Sequence, residues 1–289
     1  QHTIDWNQML DLIHLTGMEK SMKNQYQNAT NIAARIKLHS LYSINKEGWF
    51  PWIYSQCHLQ SGMNVLELGC GDGALWKQNI SLLPQNIHLT LSDISDGMLR
   101  DARRALGARD SRFSFAAFDC EKIPASSESY DLVIANHVLF YCDNLENVCK
   151  EVRRVLKPGG RFLCSTYGNS HMKEISQLVS RFDARIVLSA NKLYEKFGRK
   201  NGAQVLEPWF SRVEWISYED GLLVSDPEPL ISYILSCHGN QNQYLLDHYK
   251  EFRSFVKKKT SECYFLMLKK KTEKGLHITK DAGIFICNY

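Results

Sequence analysis

Between residues 63 and 168 the sequence keeps switching between two hydrophobic periodicities, and few folds tolerate that alternation. MNVLEL reads as a strand, ALWKQNISLL as a helix, IHLTLSDI as a strand and SDGMLRDARRAL as a helix. FSFAAFD is a further strand. YDLVIANHVLFY is a strand that runs into a loop. LENVCKEVRRVL follows as a helix with Val148, Val152, Val155 and Leu156 on one face, and GRFLCSTYG is another strand. Strands separated by helices of about ten residues need right-handed crossovers, which build a mainly parallel sheet. The strands are apolar almost throughout, as expected when helices cover both faces.

The flanks read differently. Residues 1–60 look helical. IDWNQMLDLIHLT spaces Trp6, Met9, Leu10 and Ile13 for one helix, NATNIAARIKLHSLY predicts a second with Ile32, Ile36 and Leu41 near one face, and WFPWIYSQCHL predicts a third. After Gly168 the pattern loosens. SHMKEISQLVSRF is predicted as helix, SRVEWISYEDGLLV as strand or hairpin, and PEPLISYILSC and NQYLLDHYKEFRSFVKKK as helices. LHITKDAGIFICNY is strand-like again. Three regions are therefore expected: a helical cap at 1–60, a ligand-binding core at 61–168, and a C-terminal part at 169–289 that completes the sheet and carries helical insertions.

No apolar run approaches the ~18 residues that cross a bilayer, and QHTIDWNQML lacks the basic flank and apolar core of a secretory signal. The chain begins with Gln, so at least one residue is expected to precede it. Nine scattered cysteines include no C-x-x-C pair, which fits reduced thiols in a cytoplasmic protein and offers no zinc spacing. The net charge of +4 comes largely from lysine runs at 257–259 and 269–271. Without an accompanying aromatic or Gly-rich pattern these read as a solvated helix and its exit loop, and no nucleic-acid partner is expected.

The chemistry centres on VLELGCGDGALW, residues 65–76. A glycine-rich turn between a strand and a helix lets a ligand approach the backbone. The dinucleotide fingerprint is G-x-G-x-x-G, whereas Gly69, Gly71 and Gly73 are spaced G-x-G-x-G and follow an acid, Glu67. An acid there repels a pyrophosphate and suits a ligand with cationic groups, such as S-adenosylmethionine. Asp93, twenty residues beyond Gly73, can accept from both ribose hydroxyls, with Ile94 and Met98 offering apolar contact to an adenine and Ser95 capping the next helix. Asp119 can accept from an adenine amino group while the N–H of Cys120 serves a ring nitrogen.

The ordered series ELGCGDG, SD, FDCEKIP, YDLVIANHVLFY and LKPGG resembles the class I S-adenosylmethionine-dependent methyltransferases, most of all their small-molecule branch with the ubiquinone/menaquinone-type enzymes. The resemblance covers residues 62–168. It implies a Rossmann-like α/β fold: a mainly parallel seven-stranded sheet with helices on both faces, an N-terminal helical cap and a helical insertion before the last strand. It further implies that Gly69, Gly71 and Gly73 line the methionine part, that Asp93 holds the ribose, and that Asp119 and Cys120 read adenine. Asn136 would sit at the methionine ammonium, partly through its backbone carbonyl. Tyr26 and Arg35 are candidates in the flanking helices, Arg35 for the methionine carboxylate. The expected product is S-adenosylhomocysteine.

Methyl transfer to an O, N or C atom of a small-molecule acceptor needs mainly alignment and exclusion of water. A base is needed only when the acceptor must lose a proton. His137 is the first candidate for orienting or deprotonating it, with Tyr141 beside it, and Tyr167 and His171 follow the next strand. No carboxylate cluster suggests a metal. Amino-directed base methyltransferases carry Asn/Asp-Pro-Pro-aromatic where this chain has NHVLF, and no Pro-Cys pair supports cytosine chemistry. RNA-ribose or protein methylation stays open. A nicotinamide oxidoreductase is opposed by the glycine spacing and by Glu67, and its Tyr-x-x-x-Lys spacing occurs only at Tyr42 and Lys46, before the loop. A binding protein without catalysis also stays open. The oligomeric state is not predicted.

Overall fold

The computed structural model describes residues 31–289 apart from 32, 108, 190, 191, 268 and 269. The predictions for residues 4–16, for Ile32 and for Tyr26 lie outside the described residues. By packing, the chain divides into two units. Of the described residues, one holds those within 45–172, 192–220 and 279–289, and the other those within 31–44, 173–189 and 221–278. This division differs from the sequence boundaries, because each unit is assembled from three separate segments.

The first unit is built on a seven-stranded sheet. Its strands are β1 (Asn64–Leu68), β2 (His88–Asp93), β3 (Phe113–Ala117), β4 (Tyr130–Asn136), β5 (Leu156–Tyr167), β6 (Arg212–Tyr218) and β7 (Ala282–Asn288). Their order is β3-β2-β1-β4-β5-β7-β6. Neighbours from β3 to β5 pair in parallel, and β7 runs antiparallel between β5 and β6. The order of strands along the sheet switches between β1 and β4, where loops at the carboxyl edge part and leave room for a ligand.

Strand alternation sends side chains into two cores. Leu66, Leu68, Val133, Ala135, Phe162 and Cys164 join one, with Val148, Val152 and Val155 of the helix Leu145–Val155. Val65, Leu89, Leu91, Leu132, Ile134 and Leu163 join the other, with Trp76, Leu99 and Ala102. The helix Trp49–Cys57, predicted as part of the cap, buries Trp52, Ile53 and Cys57 in this second core. Its apolar residues make it part of the sheet domain. Ser95 caps the helix Asp96–Leu106, its hydroxyl accepting from the Met98 N–H at 3.3 Å.

One predicted element is interrupted and another is extended. The helix expected over 74–83 ends at Lys77 and resumes as a short 3-10 turn, Ile80–Leu82. The buried Asn79 amide causes the break by donating to the carbonyls of Leu75 and Phe50 at 2.6 and 3.3 Å. The strand read from GRFLCSTYG begins earlier, at Leu156, so LKPGG opens β5, with a register shift against β4 between Tyr130 and Leu132.

The second unit packs helices over residues 33–42, Lys173–Phe182, Pro227–Leu235, Gln241–Leu245 and Tyr249–Thr260. Phe182 meets Phe252 and Phe255 at centroid distances of 5.1 and 5.6 Å. In the first of these helices Leu38 is fully buried, while Ile36 and Leu41 are exposed, so the buried face differs from the predicted one. SRVEWISYEDGLLV is not a hairpin. Residues 212–218 are β6, whereas Gly221–Val224 pairs with Leu276–Thr279 in a separate sheet. Among the described residues no helix is long and apolar enough to cross a membrane, and no group of three His, Cys, Asp or Glu could hold a metal ion.

Candidate functional site: the carboxyl edge of the sheet

The three glycines that follow β1 all have positive φ, at 65°, 55° and 79° for Gly69, Gly71 and Gly73, a region that L side chains enter at a cost. Their surroundings separate their roles. A Cβ at Gly69 would lie 2.4 Å from Val138 Cγ2, and one at Gly73 would lie 3.1 Å from Leu106 Cδ1. Those two glycines permit close packing. A Cβ at Gly71 would meet nothing within 4 Å, so Gly71 faces the open space that a ligand would enter. Sequence reasoning missed Asp72. Its carboxylate accepts from the Ala74 N–H at 3.2 Å and pairs with Lys77 at 3.2 Å, so the N–H that opens the following helix is already occupied.

Glu67 points to the second core and is only 2% exposed. Its Oε1 is buried without a hydrogen-bond partner. The Trp76 indole N–H lies near enough to favour the carboxylate but is not aligned for a hydrogen bond. Burial therefore dominates and raises the carboxyl pKa to about 8, and the nearby Asp93 adds to the rise. An orphaned, buried carboxyl at the root of a glycine turn is a place where a cation would be stabilised.

Asp93 closes β2 beside this turn. One carboxylate oxygen accepts from the Gly71 N–H at 3.0 Å and the other from the Ser95 N–H at 2.9 Å. Each keeps a further lone pair for hydroxyl donors. Ile94 and Met98 are 76% and 41% exposed, large apolar side chains open to solvent. Asp119 is exposed, and its carboxylate accepts from the Glu121 N–H at 2.9 Å. The Cys120 sulfur lies 3.2 Å from that of Cys142, so this thiol turns toward the core. The Cys142 contact, then burial, holds the Cys120 thiol above its ordinary pKa.

The far side of the edge, beyond β4, is aromatic. Asn136 Oδ1 accepts from Ser165 Oγ at 2.6 Å and from Trp49 Nε1 at 3.2 Å. His137 has φ 55°, its N–H donates to Ser165 Oγ at 2.8 Å, and its ring stacks on Trp49 at 5.2 Å and 11°. Phe140 and Tyr167 flank the same ring at 6.0 and 6.4 Å. His137 Nδ1 is buried without a hydrogen-bond partner. Burial, then the positive charge of Lys280, lowers the imidazole pKa to about 4. The ring is neutral at pH 7 and a weak base, which fits orienting an acceptor better than deprotonating it. Lys280 is held by Asp220 at 2.9 Å, and Tyr218, whose phenol burial raises to about 12, packs edge-on to Trp49. Tyr141 is 69% exposed on the short turn Leu139–Tyr141.

Sequence reasoning missed Trp49, Ser165, Tyr218 and Lys280, because each comes from a segment distant from β4. Only the aromatic richness of WFPW pointed toward one of them. Arg35 belongs to the other unit, is exposed, and carries a charge felt by Cys237 of that unit.

Comparison with known proteins agrees with this geometry. Residues 66–164 match the family described as the methyltransferase domain. The chain is 34% identical over 126 residues to a highly reducing polyketide synthase of Calcarisporium arbuscula, a match that covers 42% of this chain and 5% of the synthase. It is 34% identical over 111 residues to a malonyl-[acyl-carrier protein] O-methyltransferase of Methylococcus capsulatus, covering 38% of this chain and 40% of that protein. The chain thus spans a small part of the synthase and under half of the O-methyltransferase. The crystal structure of the YcgJ protein from Bacillus subtilis superposes with a TM-score of 0.50 at 13% identity, over 83% of this chain and 97% of that one, and so shares its fold. Glycine turn, strand order and family match together make the segment 66–164 a methyltransferase domain of the class I, S-adenosylmethionine-dependent type.

Proposed function

We propose that this chain binds S-adenosylmethionine at the carboxyl edge of β1–β4 and transfers its methyl group to a small-molecule acceptor beside His137. The observation that carries the reading is Glu67, a buried carboxyl with an orphaned oxygen directly before a glycine turn whose middle residue faces open space. A cationic ligand would draw the proton from that carboxyl and pair with the charge left behind, and the G-x-G-x-G spacing departs from the pyrophosphate fingerprint, so the pair favours this cofactor over a nicotinamide dinucleotide. Gly69, Gly71 and Gly73 would take the methionine part. Asp93 would take the ribose hydroxyls through its remaining lone pairs, and Ile94 and Met98 would cover the adenine that Asp119 and the Cys120 N–H read. Tyr26 and Arg35 keep their proposed place among the flanking segments, with the boundaries 1–60, 61–168 and 169–289 as working divisions.

When bound, the cofactor supplies a methyl carbon activated by its sulfonium. The chain's part is to hold the acceptor in line, and the aromatic wall of Trp49, His137, Phe140 and Tyr167 excludes water from that approach. Neutral His137 would orient the acceptor, and the exposed Tyr141 would reach it from the adjacent turn.

The polyketide synthase and malonyl-[acyl-carrier protein] relatives favour an acyl group, free or presented on a carrier, over a nucleobase or a protein side chain. Buried free thiols, among them Cys57, Cys149 and Cys164, suit a reducing, cytoplasmic setting.

Isothermal calorimetry with S-adenosylhomocysteine and with NAD tests the reading. Affinity on the order of micromolar is expected for the first and none for the second. A preference for NAD would overturn it. Incubation with methyl-labelled cofactor and a panel of acyl thioesters would then identify the acceptor class.

A further inference from the structure

A chain of hydrogen bonds at the end of β4 has a direction that its donors dictate. The His137 backbone N–H donates to Ser165 Oγ at 2.8 Å, and the Ser165 hydroxyl donates to Asn136 Oδ1 at 2.6 Å. The Trp49 indole N–H donates to the same oxygen at 3.2 Å. An indole nitrogen can only donate, and the serine hydroxyl has a single proton. Turning the carboxamide round would set its NH2 group against the indole N–H, so the orientation follows from the partners. Asn136 Nδ2 thus faces away from both donors and has no partner among the described residues. Asn136 is partly exposed. Its neighbour Ala135 is in register with Leu68, which puts residue 136 at the strand end beside the Gly69 turn. Ser165 is 1% exposed, so water does not compete for its hydroxyl.

We infer that Trp49 and Ser165 are positioning residues that lock the Asn136 carboxamide with its NH2 group toward the ligand, so that it recognises a carboxylate or carbonyl oxygen and rejects an ammonium. The inference rests on the reading of this edge as the methyl-transfer site. Any contact of Asn136 with the methionine ammonium then falls to its backbone carbonyl, and Glu67 is the side chain left for that cation. Two oxygens of the required chemistry meet at such a site: the amino-acid carboxylate of the donor and the carbonyl of an acyl acceptor.

The lock itself is tested without ligand. In nitrogen-15-labelled protein the Trp49 indole N–H should exchange with solvent at least ~tenfold more slowly than a free indole. Ser165→Ala should accelerate that exchange, and Ser165→Thr, which keeps a hydroxyl, should restore the slow rate. Exchange at the free rate in the wild type overturns the inference, whatever binds.

Ligand recognition is tested with Asn136→Asp, which replaces the outward donor by an acceptor of the same shape. Trp49→Phe, which keeps the stack on His137, serves as a second variant acting in the same direction. Each is titrated by calorimetry with S-adenosylhomocysteine, with 5′-(3-aminopropylthio)adenosine, which lacks the carboxylate, and with acetoacetyl-N-acetylcysteamine added to the S-adenosylhomocysteine complex. A loss of about tenfold or more for S-adenosylhomocysteine, absent with the aminopropyl analogue, supports the inference and assigns the oxygen to the methionine carboxylate. Unchanged nucleoside affinity with a similar loss for the thioester supports it and assigns the oxygen to the acceptor. No change for any of the three overturns it. Failure of the wild type to bind either nucleoside removes the cofactor reading, while the exchange rates still decide the lock.

Discussion

The two halves of the sheet's carboxyl edge are built in opposite ways. On the β1–β2 side, short contiguous stretches supply every feature, and their groups are left with spare capacity: an orphaned Glu67 oxygen, an open Gly71, free lone pairs on Asp93, and exposed Ile94 and Met98. On the β4–β5 side, Trp49, Asn136, Ser165, Tyr218 and Lys280 come from distant segments, and the Trp49 indole, the Ser165 hydroxyl and the Asn136 oxygen satisfy one another. In the proposed reading the first half takes the donor, whose constant set of contacts a local motif can carry, and the second takes the acceptor, whose pocket needs shape made by packing.

The largest effect expected from breaking the first half is that of Gly69→Ala. A Cβ would stand 2.4 Å from Val138 at φ 65°, so backbone strain and overpacking together should lower stability by about 2–4 kcal/mol, read by chemical denaturation. Gly71→Ala sharpens the contrast. With nothing within 4 Å, it should lose only about 1 kcal/mol of stability while weakening S-adenosylhomocysteine binding at least ~tenfold, because the new methyl takes up ligand space. Equal effects of the two variants on stability would undo the division of roles between them.

Asp93→Ala comes next. It removes the acceptor for the Gly71 and Ser95 N–H groups and should weaken S-adenosylhomocysteine by ~30–100-fold, about 2–3 kcal/mol. Unchanged affinity in calorimetry would mean that the ribose is held elsewhere.

The two halves should also respond to pH with opposite slopes, each on the order of 1 kcal/mol per pH unit at most. Glu67, with a folded pKa of about 8 against an ordinary 4.5, binds more protons folded than unfolded in that window. It therefore lowers stability as pH rises from 4.5 toward 8, and Glu67→Gln should flatten that decline. His137, with a folded pKa of about 4 against 6.5, binds fewer protons folded than unfolded. Its contribution is lost as pH falls from 6.5 through 4, and His137→Asn should flatten that loss. Binding of a cationic ligand beside Glu67 should release up to one proton near pH 7, measurable as a dependence of the calorimetric enthalpy on buffer ionisation. Absence of proton release would place the cation away from Glu67.

The smallest effect belongs to Tyr141→Phe. The side chain is 69% exposed, so stability and S-adenosylhomocysteine affinity should stay within about 0.5 kcal/mol. Slower methyl transfer without either change would put the phenol at the acceptor, and an altered nucleoside affinity would move it to the donor side.

The sequence by itself determined the α/β alternation and the order of motifs along the β1–β5 segment, and it singled out Glu67, Gly69, Gly71, Gly73 and Asp93 as the donor-side candidates. These are local: strand period, turn glycines and strand-end acids need only neighbours a few residues away to be read. It missed what local pattern cannot encode. The helix Trp49–Cys57 reads as a cap until Trp52, Ile53 and Cys57 are seen in the sheet's core. SRVEWISYEDGLLV reads as a strand or a hairpin until its halves pair with Ala282–Asn288 and Leu276–Thr279. Only the tertiary structure decided that His137 Nδ1 is buried and the ring neutral, that Cys120 turns to Cys142, and that a serine on β5 and a tryptophan before β1 orient Asn136. A side chain's protonation and donor direction depend on which groups surround it in space, and here those groups lie 29 and 87 residues away along the chain.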